Sequence, residues 1–175
     1  MSPVRNLVLD IGCGRGKLPG AVGLDLAPHP GVDLVADFSK VLPFQDNSFQ
    51  RARLGHVAEH AADLAALLGE VHRVLMPGGL VHVLTPHFSS AASFTDPSHR
   101  LHLGLYSFDY FCGLAVDDFK PLAFRYRMQS RRLIFGRGGG LGIAAWANRH
   151  GRFYEQHLAW LWPALEVEVW LKAIK

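Results

Sequence analysis

Short apolar runs that each end in an aspartate open the chain. They cover 4–10, 21–25 and 32–37, and their last residues are Asp10, Asp25 and Asp37. Such runs are typical of buried strands in a parallel sheet. Because ligands in open α/β sheets collect at the carboxyl ends of the strands, we expect the three carboxylates to lie along one edge of a sheet.

The hydrophobic period changes after residue 56. Apolar residues from Val57 to Leu75 recur at helical spacing, which predicts an amphipathic helix that ends at Pro77 and the two glycines after it. Further strands are expected over 50–55 and 80–85, one on each side of this helix.

Two later segments, 124–135 and 165–174, alternate with a period of two. No crossover helix is evident after the second one, so the pair predicts terminal antiparallel strands. Residues 136–163 then form an insertion between the last two strands. We expect residues 1–175 to be a single domain.

The composition narrows the class of protein. The 175 residues are 49% hydrophobic and 19% charged, which excludes a disordered chain. Cys13 and Cys112 are too few for a disulfide framework or a four-cysteine zinc site. Neither a signal-peptide pattern nor an apolar run of membrane-spanning length is found, so the sequence favours a cytoplasmic protein.

The net charge of +3 is unevenly distributed. Residues 119–154 contain eight basic residues and no acidic ones. This excess predicts an anionic partner, whether a phosphorylated small molecule, a nucleic acid or a membrane surface. A solvated strand face is the structural alternative for Arg125 and Arg127, which alternate with apolar neighbours.

A glycine-dense loop follows the first strand. Gly12, Gly14 and Gly16 come at alternate positions after Asp10, so the backbone can approach a ligand without Cβ clashes. Lys17 occupies the sixth position of the dinucleotide fingerprint G-x-G-x-x-G, where that fingerprint requires a glycine. An NAD-type oxidoreductase on the same class of sheet is therefore a minor alternative.

The acids after the second and third strands add chemistry to this loop. Asp25 can accept hydrogen bonds from both hydroxyls of a ribose. Asp37 can accept from an exocyclic adenine amine while the backbone N–H of Phe38 donates to the ring. Asp25, Asp37 and Phe38 together predict a site for an adenosine that lies across the strand ends. The rest of the ligand would extend over the glycine loop.

The chain resembles class I S-adenosylmethionine-dependent methyltransferases, most closely those with the methyltransferase-11-type domain. The ordered motifs are LDIGCGRG, GLDL, ADF, LPFQDNSF, LGHVAEH and EVHRVLMPGGLVHVLTPH, which together span about residues 4–90. The later segment DPSHRLHLGLYSFDYF is similar to compact bacterial members with unassigned substrates. The resemblance implies a Rossmann-like, mostly parallel seven-stranded sheet with a C-terminal antiparallel hairpin, and S-adenosylmethionine as cofactor.

The resemblance also implies which residues hold the cofactor. They are Asp10, Gly12 and Gly14 at the methionine end, Asp25 at the ribose, Leu26, Asp37 and Phe38 at the adenine, and His56 near the methyl-transfer region.

The spacing between the three aspartates departs from the family. Neither gap accommodates a strand and a helix of about 11 residues, so the helices that usually cover one face of the sheet are missing or reduced. A parallel sheet is normally covered on both faces. We therefore predict that the insertion 136–163, or a second subunit in a homodimer, covers the face without helices.

Methyl transfer needs alignment of the two reactants and, for some acceptors, removal of a proton. That chemistry requires no metal, and none is expected. The loop after the fifth strand should line the acceptor pocket, so His99 and then His87 are the first candidates for a general base. Asp96, His102 and Tyr106 are further candidates to line that pocket, and a purely structural role is the alternative for the histidines.

Other functions are compatible with parts of the sequence. His56-Val-Ala-Glu59-His60 matches the inverted zinc-peptidase motif H-x-x-E-H, but no separately placed acidic third ligand is apparent. A methyltransferase-like scaffold without catalysis is another alternative. The aromatic and basic insertion favours a small or lipid-like acceptor, with nucleic acid as the second choice.

Overall fold

A seven-stranded sheet in the order β3-β2-β1-β4-β5-β7-β6 forms the centre of the computed structural model, which describes residues 7–114, 122–136 and 141–175. The strands are β1 Val8–Ile11, β2 Val22–Asp25, β3 Leu34–Val35, β4 Phe49–Gly55, β5 Leu75–Pro86, β6 Arg125–Ile134 and β7 Glu166–Ile174. The first five are parallel, and β7 runs antiparallel to both β5 and β6. This topology confirms the expected fold class.

The described helices are α1 Leu64–Val74, α2 Ala92–Thr95, α3 Leu141–Arg149 and α4 Gly151–Phe153. Short 3₁₀ turns cover Ala58–His60 and Asp109–Cys112, and a π-helical turn covers Tyr154–Leu158. Residues 4–6, which the sequence assigns to the first strand, lie outside the described residues, as do Lys120 and Arg137 of the basic run.

The helix predicted from Val57 to Leu75 is shorter at its start. It begins at Leu64, where the side chain of Asp63 accepts a hydrogen bond of 2.9 Å from the backbone N–H of Ala66. Val57 is buried for a different reason: its side chain packs against Gly12 of the glycine loop, so its apolarity reflects that contact and not a helix face.

The end of this helix also differs from the prediction. Leu75 is already extended and begins β5, so Pro77 and the glycines after it belong to the strand. The pairing of β4 with β5 is irregular between Phe49 and Arg51, and Gly78 has φ of +76°, a conformation that favours glycine. The Pro-Gly-Gly segment thus forms an irregular strand start.

One face of the sheet forms the hydrophobic core. The side chains that β1, β4, β5 and β7 place on this face are almost fully buried. They include Leu9, Ile11, Leu54, Val83, Val169 and Leu171. Helix α1 packs on this face through Leu67, Leu68 and Val71. The hydroxyl of Tyr126 on β6 donates a hydrogen bond of 2.9 Å to the carbonyl of Leu68, which fixes the helix against the sheet.

The opposite face, which we call the polar face, is built from charged and aromatic side chains. Its members are Asp10, Arg51, Arg53, His82, Glu168, Trp170 and Arg132. Within residues 7–114, which the structure describes without a gap, the connections β1–β2 and β2–β3 contain no helix. The aspartate spacing predicted that these two connections lack a full helix, and the structure confirms this for both.

Ion pairs and stacking link neighbouring strands across the polar face. Arg53 Nη1 lies 3.1 Å from Asp10 Oδ1, and His82 Nε2 lies 2.9 Å from Glu168 Oε1. The ring of His82 stacks on Trp170 with centroids 4.4 Å apart. These groups pair with one another, so the face is not a bare apolar surface.

The prediction that the insertion 136–163 covers the polar face is wrong. Tyr154 of the insertion contacts His87, which lies two residues beyond Thr85 and so on the core side of β5. Asn148 of α3 bonds both backbone groups of Leu133 on the edge strand β6. The insertion therefore packs at the edge and on the core side. Cover by a second subunit stays a prediction.

Candidate functional site

The glycine loop after β1 is held in place by a buried carboxylate. Asp10 is fully buried; its Oδ2 accepts a hydrogen bond of 2.8 Å from the backbone N–H of Leu18, and its Oδ1 pairs with Arg53. Gly12 has φ of +63°, and a Cβ there would lie 2.3 Å from Val57 Cγ2. Only glycine fits this position, which brings the loop close to the end of β4.

Asp25 connects the end of β2 to this loop. Its Oδ2 accepts a hydrogen bond of 2.7 Å from the backbone N–H of Gly14, and its Oδ1 accepts one of 3.0 Å from Ala27. A Cβ on Gly14 would meet open space, so no neighbouring atom crowds the loop at this point. Leu26, next to the aspartate, is 63% exposed.

Asp37 follows β3 on the same edge. Hydrogen bonds from the hydroxyl and the backbone N–H of Ser39 hold the pKa of Asp37 below its usual value. The carboxylate is therefore ionised at neutral pH. It is available as a hydrogen-bond acceptor at the rim of the cavity.

A cavity of about 590 Å³ lies at the ends of these strands. Its lining residues are Gly12, Asp25, Leu26, Asp37, Phe38, Ser39, His56, Val57, His60, Ala62, Pro97, Ser98 and Arg100. The volume falls within the range of about 300–1,000 Å³ that is typical of small-molecule sites. The structure thus brings six of the eight expected cofactor residues to one cavity, whereas Asp10 and Gly14 are not among its lining residues.

A second cavity, of about 650 Å³, lies beside His72, Phe124 and Lys175. The Nζ of Lys175 lies 2.6 Å from the carbonyl of Leu75, the first residue of β5. This cavity is therefore at the amino end of a parallel strand, away from the edge where ligands bind in such sheets. We place the candidate site in the cavity at the carboxyl ends.

His56 projects into the site from a strained backbone. Its φ of +56° is uncommon for a residue with a side chain. Its ring lies between two carboxylates, with Nδ1 3.3 Å from Glu59 Oε1 and Nε2 3.1 Å from Glu166 Oε1. Glu59 is the main cause of the raised pKa of His56, to which Glu166 adds, and partial burial opposes it.

Glu59 itself is 99% buried. Burial would raise the pKa of this carboxyl, but contacts with His56, a backbone N–H and Thr85 outweigh burial and lower it. Glu59 Oε1 accepts no close, well-directed hydrogen bond among the described residues, and its nearest partner is His56 Nδ1 at 3.3 Å. An ionised oxygen without a well-directed donor is rare in a buried position.

The two candidate bases occupy different environments. His87 is fully buried away from the cavity lining, with Nδ1 2.7 Å from Ser89 Oγ and Nε2 3.1 Å from Glu155 Oε1. His99 stands directly behind the lining, with its ring 4.7 Å from that of His60. Of the pair, His99 is the one beside the candidate site.

The other residues named from the loop do not line the cavity and contact other parts of the protein. The ring of His102 stacks on Phe94, and Tyr106 lies under the guanidinium groups of Arg131 and Arg152. Asp96 accepts hydrogen bonds from the backbone N–H and hydroxyl of Ser98. Part of the basic run therefore packs within the protein.

Ser98 and Arg100 line the cavity but were not named from the sequence. The backbone N–H groups of Arg100 and Leu101 donate to the carbonyl of Glu59, at 2.8 and 3.0 Å. These two bonds pin the loop after β5 to the turn after β4. The segment DPSHR was the available signal, since it combines turn formers with a histidine and an arginine.

The H-x-x-E-H motif does not lie on one helix. His56 follows β4, and Glu59 and His60 lie on the 3₁₀ turn Ala58–His60. The two histidines therefore lack the helical spacing on which the zinc-peptidase motif depends. This geometry argues against the metallopeptidase alternative.

Comparison with known proteins identifies related sequences. Residues 9–83 match the family model described as "Methyltransferase domain". The demethylmenaquinone methyltransferase of Chlorobaculum tepidum is 33% identical over 97 residues, which cover 45% of this chain and 40% of that protein. The 2-phytyl-1,4-naphtoquinone methyltransferase of Nostoc punctiforme is 32% identical over 108 residues, which cover 47% of each. The matched region is less than half the length of either relative.

Solved structures with the same fold extend over nearly the whole chain. A SAM-dependent methyltransferase from Archaeoglobus fulgidus has a TM-score of 0.65 at 16% identity, covering 95% of this chain and 86% of that one. The family model over residues 9–83 confirms the resemblance inferred from the motifs, and the solved structure confirms the fold. None of the helices in the described parts of the chain has the length and apolar character needed to cross a bilayer.

Proposed function

We propose that this chain, whose residues 9–83 match the methyltransferase-domain family model, is an S-adenosylmethionine-dependent methyltransferase that acts on a small, lipid-like acceptor of the quinol type. The single observation that carries the proposal is the convergence of Asp25, Asp37 and the glycine loop on one cavity of about 590 Å³. The matched domain and the shared sheet topology support the same activity.

The described residues fit an adenosyl nucleoside. The carboxylate of Asp25 is oriented by two backbone N–H groups, and each of its oxygens keeps a further lone pair for a ribose hydroxyl. Leu26 and Phe38 offer apolar surface on the same lining, and Asp37 supplies an acceptor for the adenine amine. An exposed leucine at this position is explained if the adenine ring covers it.

The methionine end would extend along the glycine loop toward His56. Asp10 acts there at one remove, because it fixes the loop through Leu18 and does not reach the cavity. When bound, the cofactor would supply an electrophilic methyl group on a sulfonium. The protein's part is to align the acceptor with that methyl group and exclude water.

His60 and Arg100 line the cavity on the side formed by the loop after β5 and the turn after β4. We assign acceptor contact to this side. A hydroxyl that approaches His60 would meet an imidazole backed by His99, the first candidate from the sequence.

Aromatic side chains beside this loop favour a lipid-like acceptor. Phe94 is 55% exposed and Trp160 is 67% exposed, and their ring centroids are 6.5 Å apart. Exposed aromatic groups of this size are typical of binding surfaces. Phe94 is the residue after Ser93, whose carbonyl contacts His99, so the aromatic surface adjoins the site. The two quinone methyltransferase relatives support a ring with an apolar tail.

The test is formation of S-adenosylhomocysteine with a panel of acceptors. We expect product with a demethylated naphthoquinol kept in its reduced form, and a loss of at least about 10-fold in kcat/KM when Asp25→Asn removes the charged ribose contact. Product with oligonucleotides alone would favour the nucleic-acid alternative. Cofactor binding without product for any acceptor would favour the non-catalytic scaffold.

A further inference from the structure

Three metal-binding side chains meet where the loop after β5 crosses the turn after β4. Glu59 and His60 come from the 3₁₀ turn, and His99 comes from the loop. One ligand atom from each lies within 4.8 Å of the other two. The backbone bonds from Arg100 and Leu101 to the carbonyl of Glu59 fix this arrangement.

Hydrogen bonding determines which nitrogen His99 can offer. Its Nδ1 lies 3.2 Å from the carbonyl of Ser93, which can only accept, so Nδ1 carries the proton. The lone pair is therefore on Nε2. The nearest further carboxylate oxygen is Asp96 Oδ2, 3.9 Å from that nitrogen.

The same reasoning applies to His60. The hydroxyl of Ser98 donates its single proton to Asp96 Oδ1 at 2.6 Å, so it must accept from His60 Nδ1, which lies 3.1 Å away. His60 too keeps its lone pair on Nε2. A carboxylate–hydroxyl chain that orients an imidazole in this way resembles the outer shell of metal-binding histidines.

Each of the three side chains therefore offers a lone pair to a cation. Both imidazoles present lone pairs, and Glu59 Oε1 is a buried oxygen that accepts no close, well-directed hydrogen bond among the described residues. His56 Nδ1, 3.3 Å from the same oxygen, offsets part of its charge, and the two imidazoles add nitrogen ligands that suit a metal cation.

We propose that Glu59, His60 and His99 bind one divalent transition-metal ion of the zinc class. A site of two imidazoles and one carboxylate favours ions of this class over Mg²⁺ or Ca²⁺, which prefer oxygen ligands. Even in an equilateral triangle with sides of 4.8 Å, a central ion is only about 2.8 Å from each ligand, so shifts of about 0.7 Å reach the usual bond lengths.

The ion would have open coordination positions on the cavity side. His60 lines the cavity, whereas Glu59 is buried and the side chain of His99 is 8% exposed. Where the proposed methyltransferase function holds, a hydroxyl of the acceptor bound there would have a lowered pKa. Metal binding itself does not depend on that function.

This inference differs from the expectation that no metal is involved. The sequence shows no acidic third ligand near the H-x-x-E-H motif, but the fold supplies a histidine from a distant loop. His56, the first residue of the motif, is not in the proposed ligand set, because its ring is held between Glu59 and Glu166.

Calorimetric titration of chelator-stripped protein with Zn²⁺ tests the proposal. A competing chelator of intermediate affinity removes weak binding by the other histidines. We expect one ion per chain for the wild type, loss of this binding in His99→Gln and in His60→Gln, and unchanged binding in His102→Gln, a matched change on the same loop. Thermal unfolding with and without Zn²⁺ should show a raised Tm that His99→Gln abolishes.

Ser98→Ala gives a second test that leaves all three ligands in place. Because this residue orients His60 from an exposed position, we expect zinc affinity to fall by about 10- to 100-fold without loss of the fold. Absence of stoichiometric binding in the wild type, or equal loss in His102→Gln, would overturn the proposal. Since no nucleoside is present, this result is independent of methyl transfer.

Discussion

The two faces of the sheet solve the same burial problem in different ways. The core face uses apolar side chains under α1 and the insertion, and residues such as Val169 and Leu171 have no exposed surface. On the polar face, the connections β1–β2 and β2–β3 within the described residues 7–114 contain no helix, and half-buried groups pair across strands, as His82 does with Glu168. Loss of helical cover is thus accompanied by a change in residue type.

The contrast between the faces shows how a short methyltransferase-like chain stays folded. A parallel sheet normally needs apolar cover on both sides because its strands are apolar throughout. Here β4 alternates over Arg51-Ala52-Arg53-Leu54, and in β7 the alternate positions include Glu166, Glu168 and Lys172. The carboxyl edge of the sheet, which holds the candidate site, is common to both faces and does not require the missing helices.

The largest expected effect is a difference in unfolding free energy between substitutions at two neighbouring residues of β7, one on each face of the sheet. Leu171→Ala removes a fully buried side chain from the core face and should lower the free energy of unfolding by about 2–5 kcal/mol. Trp170→Ala, on the polar face, should cost about 1 kcal/mol because the ring is partly exposed. Urea unfolding measures both. Equal losses would show that the polar face is packed like a core.

The next effect concerns the ion pair under the glycine loop. Arg53→Ala leaves the buried carboxylate of Asp10 with one fewer partner, and we expect a loss of about 1–3 kcal/mol in unfolding free energy. Arg51→Ala, two residues earlier on the same strand and exposed, is the matched control and should change stability by less than about 0.5 kcal/mol. A neutral result for Arg53→Ala would contradict a structural role for the pair.

The smallest effect depends on pH. Burial opposes ionisation of Glu168, but hydrogen bonds from His82 and Arg132 outweigh it and lower the pKa of this carboxyl. A lowered folded-state pKa contributes stability above the unfolded-state value, and that contribution is lost as the pH falls through the folded-state value. Glu168→Gln should therefore lose less stability than the wild type between about pH 7 and about pH 3. Parallel pH profiles would exclude this contribution.

Much of the fold could be predicted from local patterns. The three aspartates marked the strand ends because a buried run followed by an acid and a glycine loop is typical of a parallel strand that ends at a ligand site. The polar face was not predicted, although the alternation Arg51-Ala52-Arg53-Leu54 in β4 was visible. An alternating strand within a parallel sheet indicates that one face is polar, and this signal outweighs the general expectation of cover.

The site was predictable only where its residues follow strands. Asp25, Leu26 and Asp37 could be placed because each lies at or just after the end of a strand on one edge. The approach of His99 to His60 depends on backbone bonds between a loop and a turn that are distant in sequence. No periodicity reports such a contact, so sequence reasoning could name both histidines but could not bring them together.

The proposed function depends most on the carboxylate of Asp25, which we expect to bind the ribose of an adenosyl nucleoside at the strand ends. Calorimetric titration with S-adenosylhomocysteine tests this contact, with Asp46→Asn, an exposed acid outside the cavity lining, as the control. We predict one site per chain, affinity weakened by about 10- to 100-fold in Asp25→Asn, and no change in Asp46→Asn. Wild-type protein that releases no heat, or Asp25→Asn that binds as tightly as the wild type, would contradict it.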